Sequence, residues 1–136
     1  MVFDSSAFLA YVRNERGAEV AFDLLEDAKE SRYVHAANLC ELLHQVWRSD
    51  GKDKAEATVA EFLALGIQER TDMDSELWRD AASLIAQRRI AGRSLALGDA
   101  LGIALARRLS VPFVTADHGE LDALELAGIC DFIFVR

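Results

Sequence analysis

Ser94-Leu-Ala-Leu-Gly-Asp99-Ala-Leu-Gly-Ile-Ala-Leu-Ala-Arg-Arg-Leu-Ser-Val-Pro-Phe-Val-Thr115-Ala-Asp117-His-Gly-Glu120 is the stretch on which the fold turns. From Ala100 to Ala106, and again from Val111 to Val114, it is almost entirely small or apolar, which predicts a helix and a short strand buried in one core. Two acids bracket that unit. Asp99 falls where the helix begins and Asp117 just past the strand.

Towards the amino terminus, Met1-Val-Phe-Asp4 reads as a strand ending in a carboxylate, followed by a helix over Ala7–Val12 with Ser5 or Ser6 as its cap. Gly17 to Ala28 carries Val20, Phe22, Leu24, Leu25 and Ala28 among acids, an amphipathic helix. Arg32–Ala36 reads as a second strand. It leads into a helix from Ala37 to Arg48 with Leu39, Leu42, Leu43, Val46 and Trp47 at apolar positions, stopped by Gly51. Lys52–Leu65 repeats the helical pattern up to Gly66, and Ile67–Arg70 reads as a short edge strand. Asp72 or Asp74 starts the next helix, which places Leu77, Trp78, Ala81, Leu84 and Ile85 in the core and ends in Gln87-Arg88-Arg89. Beyond the opening stretch, Leu121–Ala127 reads as a short helix and Phe132–Val135 as a final strand.

Strands separated by helices favour a parallel sheet with helices on both faces, an α/β architecture. Neither a repeat nor a linker divides residues 1–136, so one domain is expected. The hydrophobic fraction of 51% and the single proline suit a compact body. Cys40 and Cys130 are far apart and lack a CxxC partner, and they read as small buried hydrophobes in a reducing compartment. No apolar run approaches the roughly 20 residues that span a bilayer, and the first residues read as a strand and not as a cleavable leader. A soluble, cytoplasmic protein is expected. The net charge of −8 argues against a general nucleic-acid coat but permits nucleic acid where the acids gather around cations.

In a parallel sheet all strand-to-helix junctions lie on one edge. Asp4 follows the first strand, Glu41 follows the second by about a turn of helix, Asp99 opens a helix and Asp117 follows the strand at Phe113–Thr115. Taken singly each is a cap, turn or surface acid; four from four segments on one edge are expected to act together. Carboxylates held close repel one another until a divalent cation relieves the repulsion. Hard oxygen ligands select Mg²⁺ or Mn²⁺, and two such ions would neutralise half of the net charge. A pair about 4 Å apart can hold an attacking water and a departing sugar oxygen on either side of a phosphodiester. Phosphodiester hydrolysis needs no nucleophilic side chain, and the chain has no G-x-S-x-G elbow and no phosphate-cradling glycine loop.

The pieces Val-Phe-Asp4-Ser-Ser-Ala-Phe-Leu, Ala-Asn-Leu-Cys-Glu41-Leu, Ser-Leu-Ala-Leu-Gly-Asp99-Ala-Leu and Val-Thr115-Ala-Asp117, in this order, resemble the motifs of PIN domains. The length most resembles the VapC toxins of bacterial type II toxin-antitoxin systems. The resemblance implies an α/β/α sandwich around a central parallel sheet of four or five strands. It implies a Mg²⁺- or Mn²⁺-dependent endoribonuclease, a hydrolase of RNA, with Asp4, Glu41, Asp99 and Asp117 as catalytic and metal-binding acids. Ser6 and Thr115 match the family's supporting hydroxyl positions. A homodimer and a cognate antitoxin that blocks the site are implied as well.

Around that set, Glu120 has two readings, an outer ligand and a helix-starting acid. Arg88, Arg89 and Arg93, with Arg107 and Arg108, are candidates for RNA phosphate contact. His118 reads as an exposed turn histidine. The competing functions are a non-catalytic module of the same fold that binds RNA or protein, and a receiver-type Mg²⁺-binding phosphoacceptor domain. The latter is disfavoured because Ser5-Ser6 follows the first acid and no lysine occurs after Lys54.

Overall fold

The computed structural model describes residues 1–119 and 121–136. Its elements alternate as expected: β1 (Val2–Phe3), α1 (Ser5–Val12), α2 (Ala18–Glu26), β2 (Tyr33–His35), α3 (Ala36–Asp50), α4 (Lys52–Ala64), β3 (Gln68–Arg70), α5 (Ser75–Ile90), α6 (Leu97–Leu109), β4 (Phe113–Thr115), α7 (Asp122–Leu126) and β5 (Phe132–Phe134). The five strands form one sheet in the order β3-β2-β1-β4-β5, and every neighbouring pair is parallel.

Side chains alternate across this sheet and divide the core in two. Val2, Phe113 and Phe132 face a layer with Leu77, Leu84, Leu101 and Leu105 from α5 and α6. Phe3 and Val114 face the opposite layer, with Phe8, Leu25, Leu42 and Phe62 from α1 to α4. The fold is therefore an α/β/α sandwich.

Helix α6 is buried without interruption from Ala100 to Ala106 because it lies close to the sheet. Gly102 makes that approach feasible: a Cβ there would sit 2.6 Å from Phe113 Cε2. Arg107 and Arg108 close its last turn, where cations complement the helix dipole. Arg107 pairs with Asp80 at 2.7 Å, and Arg108 pairs with Asp74 at 2.6 Å and Asp72 at 3.1 Å. These contacts set α6 antiparallel to α5. They also engage both arginines at the end of α6 remote from Asp99.

Other expectations change for local reasons. Asp4, not Ser5 or Ser6, caps α1, accepting from the Ser6 amide at 3.3 Å. Asp74 caps α5, accepting from the amides of Glu76 and Leu77. Trp78, expected in the core, is 41% exposed, and the Arg79 guanidinium lies 4.5 Å from its ring. Trp47 is also exposed, with the Lys52 ammonium 5.5 Å from its ring. Val20 and Phe22 lie outside, Phe22 stacking on Tyr11. In each case helical spacing marks a residue near the border of the apolar stripe, and the rotation of the helix on the sheet decides its side. Cys40 is exposed, contrary to expectation, and Cys130 is partly buried. Burial pushes the Cys130 thiol up to about 12. Among the described residues no helix is long and apolar enough to cross a membrane.

Candidate metal site at the sheet edge

The strand order places β1 between β2 and β4, so the chain winds to one side of β1 through β2 and later to the other through β4. Open α/β sheets bind ligands at this reversal, outside the carboxyl ends of the strands. Here the reversal lies between β1 and β4, and Asp4 and Thr115 flank it. The Asp4 amide donates to Val114 O at 2.9 Å, which carries the β1–β4 pairing up to the acid itself.

Asp4 is only 2% exposed, and its carboxylate accepts from five donors. Oδ1 receives Asn38 Nδ2 at 3.0 Å and Ser5 Oγ at 3.3 Å. Oδ2 receives Ser6 Oγ at 2.5 Å, Thr115 Oγ1 at 3.1 Å and the Ser6 amide at 3.3 Å. Both hydroxyls are held in turn, since Ala116 N donates to Ser6 Oγ at 2.9 Å and Asp117 N to Thr115 Oγ1 at 3.1 Å. A buried charge requires such a complement of donors. Ser6 and Thr115, the two hydroxyl residues singled out in the sequence, both hydrogen-bond the Asp4 carboxylate.

Glu41 lies in the second turn of α3, half-buried against α6. Its Oε2 is 3.3 Å from where a Cβ on Gly98 would stand. Asp99, also half-buried, follows Gly98 in the first turn of α6. Asp117 is exposed beyond β4, and its Oδ1 accepts from the Gly119 amide at 3.0 Å. Asn38 thus bonds Asp4 and lies with Glu41 against Gly98, the residue before Asp99, while the Asp117 carboxylate turns onto its own loop. Among the described residues no three His, Cys, Asp or Glu side chains stand close enough to hold one ion as they lie. Glu120 lies outside the described residues.

Arg88 is buried in the last turn of α5, whereas Arg89 in the same turn and Arg93 just beyond it are exposed. The antiparallel α5–α6 pair puts that end beside the start of α6 and hence beside Asp99. His118 is exposed; its ring stacks on Phe134 at 4.4 Å and Nδ1 meets Asp122 at 3.0 Å. His44 is exposed as well, with Nδ1 at 3.2 Å from Glu41 O.

Asn38 is the residue that sequence reasoning missed. It sits three positions before Glu41, on the same face of α3, and is completely buried. The signal available was an amide at that spacing in the first turn of a helix that follows a strand.

A doubly wound parallel sheet with a hydrogen-bonded acid at its switch point, and three further acids at or near the strand-to-helix junctions, defines the class as α/β. The sequence profile of the PIN domain matches residues 1–125, and the chain belongs to that family. No curated protein matches the sequence. Among solved structures, the fold is similar to VapBC-1 from nontypeable Haemophilus influenzae, with a TM-score of 0.73 and 13% identity over 99% of this chain and 98% of that one. It is also similar to Mycobacterium tuberculosis VapC20, described as a sarcin-ricin loop cleaving toxin, with a TM-score of 0.71 and 20% identity over 90% and 95% of the two chains. A toxin-antitoxin complex from Klebsiella pneumoniae contains a third such chain, with a TM-score of 0.69 and 13% identity over 99% and 97%.

Proposed function

We propose that this PIN-domain protein is a Mg²⁺- or Mn²⁺-dependent endoribonuclease and the toxin of a type II toxin-antitoxin pair. The observation that carries the reading is the buried Asp4 carboxylate at the switch point, held by hydroxyl and amide donors beside the strand that leads to Asp117. Family membership and the shared fold of VapC20, described as a sarcin-ricin loop cleaving toxin, support it. The donor set also fits a hard cation: Asp4, Glu41, Asp99 and Asp117 offer only carboxylate oxygen, with hydroxyl and amide groups behind them.

Those four acids would hold the ions. When bound, divalent cations neutralise phosphate charge and lower the pKa of an attacking water. The chain's own contribution is positional. Ser6 and Thr115 hydrogen-bond the Asp4 carboxylate, and the exposed Arg89 and Arg93 would engage phosphates of an approaching RNA strand. A cognate antitoxin that covers the acidic edge, a homodimer and a cytoplasmic location belong to the same reading.

The test is incubation of purified protein, free of antitoxin, with structured RNAs in the presence of Mg²⁺ or Mn²⁺ and after chelation, alongside Asp4→Asn and Asp99→Asn. Cleavage is expected only with metal and only in the unaltered chain. Cleavage that survives chelation, or persists in both variants, overturns the metal-site assignment. Absence of cleavage by protein shown to bind metal favours a non-catalytic binding module.

A further inference from the structure

We propose that Asn38 is a positioning residue for the metal site, setting the Asp4 carboxylate and its spacing from Glu41 before any cation arrives. The inference rests on the metal-site reading above.

The amide orientation follows from chemistry. An ionised carboxylate only accepts, so the group facing Asp4 Oδ1 at 3.0 Å must be the Asn38 Nδ2 donor. The opposite end, Oδ1, is buried and has no hydrogen-bond partner among the described residues. It lies 3.1 Å from where a Cβ on Gly102 would stand. A buried acceptor left unpaired is a cost to the fold that an apolar residue of similar size avoids. Asparagine at this completely buried position therefore destabilises at one end, and its side-chain hydrogen bond among the described residues is the one to Asp4.

That bond differs in kind from the others on the same carboxylate. Ser5, Ser6 and Thr115 donate through hydroxyls, which rotate and can turn their lone pairs towards an arriving cation. Asn38 Nδ2 has no lone pair to offer, and the amide is completely buried. It keeps one direction at Asp4 Oδ1 occupied, so a cation is admitted only in the directions that the hydroxyls can vacate. Its place on α3 adds the second constraint. A Cβ on Gly98 would lie 3.6 Å from Asn38 Nδ2 and 3.3 Å from Glu41 Oε2, so amide and glutamate share one groove on α6. Through Asn38, the end of β1 is tied to the helix that carries Glu41.

The experiment measures Mn²⁺ binding to the full-length protein by electron paramagnetic resonance, for the unaltered chain, Asn38→Leu and Asn38→Ala, with urea unfolding of each beside it. Loss of a group that orients a ligand typically weakens metal about 10- to 100-fold, and that loss is expected for Asn38→Leu. The Asn38→Ala variant, which also removes the amide donor but adds no bulk, reports in the same direction should the leucine variant fail to fold. Unchanged Mn²⁺ affinity in a folded variant, even with a shifted unfolding midpoint, overturns the positioning role and leaves the metal site standing. No Mn²⁺ binding by the unaltered chain overturns both.

Discussion

Thr115 Oγ1 donates to Asp4 Oδ2 at 3.1 Å and accepts the amide proton of Asp117 at 3.1 Å, so one buried hydroxyl joins two of the candidate ligands. The bond crosses from β4 to the end of β1, residues separated by most of the chain. Thr115→Val keeps the shape and removes the hydroxyl. RNA cleavage is expected to fall about 10- to 100-fold, while urea unfolding shifts by only about 1–3 kcal/mol. Equal activity in both proteins would show that Asp4 needs no partner from β4.

Metal and stability are linked in the proposed site. Addition of Mn²⁺ at 100 times its dissociation constant should stabilise the unaltered protein by about 2.7 kcal/mol. Asp99→Asn should blunt that gain, and calorimetric scans with and without the ion give the comparison. A gain of the same size in Asp99→Asn would place the ion elsewhere.

Close packing of α6 on β4 predicts a sensitive glycine. In Gly102→Ala the new Cβ would stand 2.6 Å from Phe113 Cε2 and 3.1 Å from Asn38 Oδ1, so the ring or the helix must shift. Overpacking of this kind costs about 1–3 kcal/mol, and because Asn38 is one of the displaced neighbours, cleavage should decline as well. Chemical denaturation and an RNA assay on one preparation test the two effects together.

The acid limb of the stability profile should depend on Arg108. Its guanidinium, hydrogen-bonded to Asp74, holds that carboxyl well below the usual carboxylate range, aided by the Leu77 amide. Asp72 is lowered too, first by Arg70 and then by Arg108. Both folded values lie below the unfolded ones. The stabilisation they contribute is therefore present above the unfolded value of about 3.9 and is lost as pH falls through the folded values. Arg108→Met should reduce the drop in urea midpoint between about pH 7 and pH 3. A drop as steep as that of the unaltered protein would assign acid sensitivity to other groups.

The order of elements, the parallel sheet and the boundaries of the helices were legible in the sequence. Periodicity of apolar residues reports local geometry, and Gly17, Gly51, Gly66 and Gly128, all at positive φ, punctuate it where no side chain is tolerated at ease. The sides taken by Trp47, Trp78 and Cys40 were not legible, because each lies at the margin of its helix's apolar stripe. Asp4 as helix cap in preference to Ser5 or Ser6 is a matter of one residue in the chain's exit from β1, which propensity alone does not rank.

What the sequence by itself determined is which acids fall at or near strand-to-helix junctions: Asp4, Asp99 and Asp117 at them and Glu41 a turn beyond, through local patterning. What only the tertiary structure decided is which groups meet them. Strand order put β4 and not β3 beside β1, and so brought Thr115 to Asp4. The approach of α3 and α6, allowed by Gly98 and Gly102, brought Asn38 to the same carboxylate. Such contacts depend on how layers are stacked and rotated, a property of the packed core that no single stretch of chain encodes.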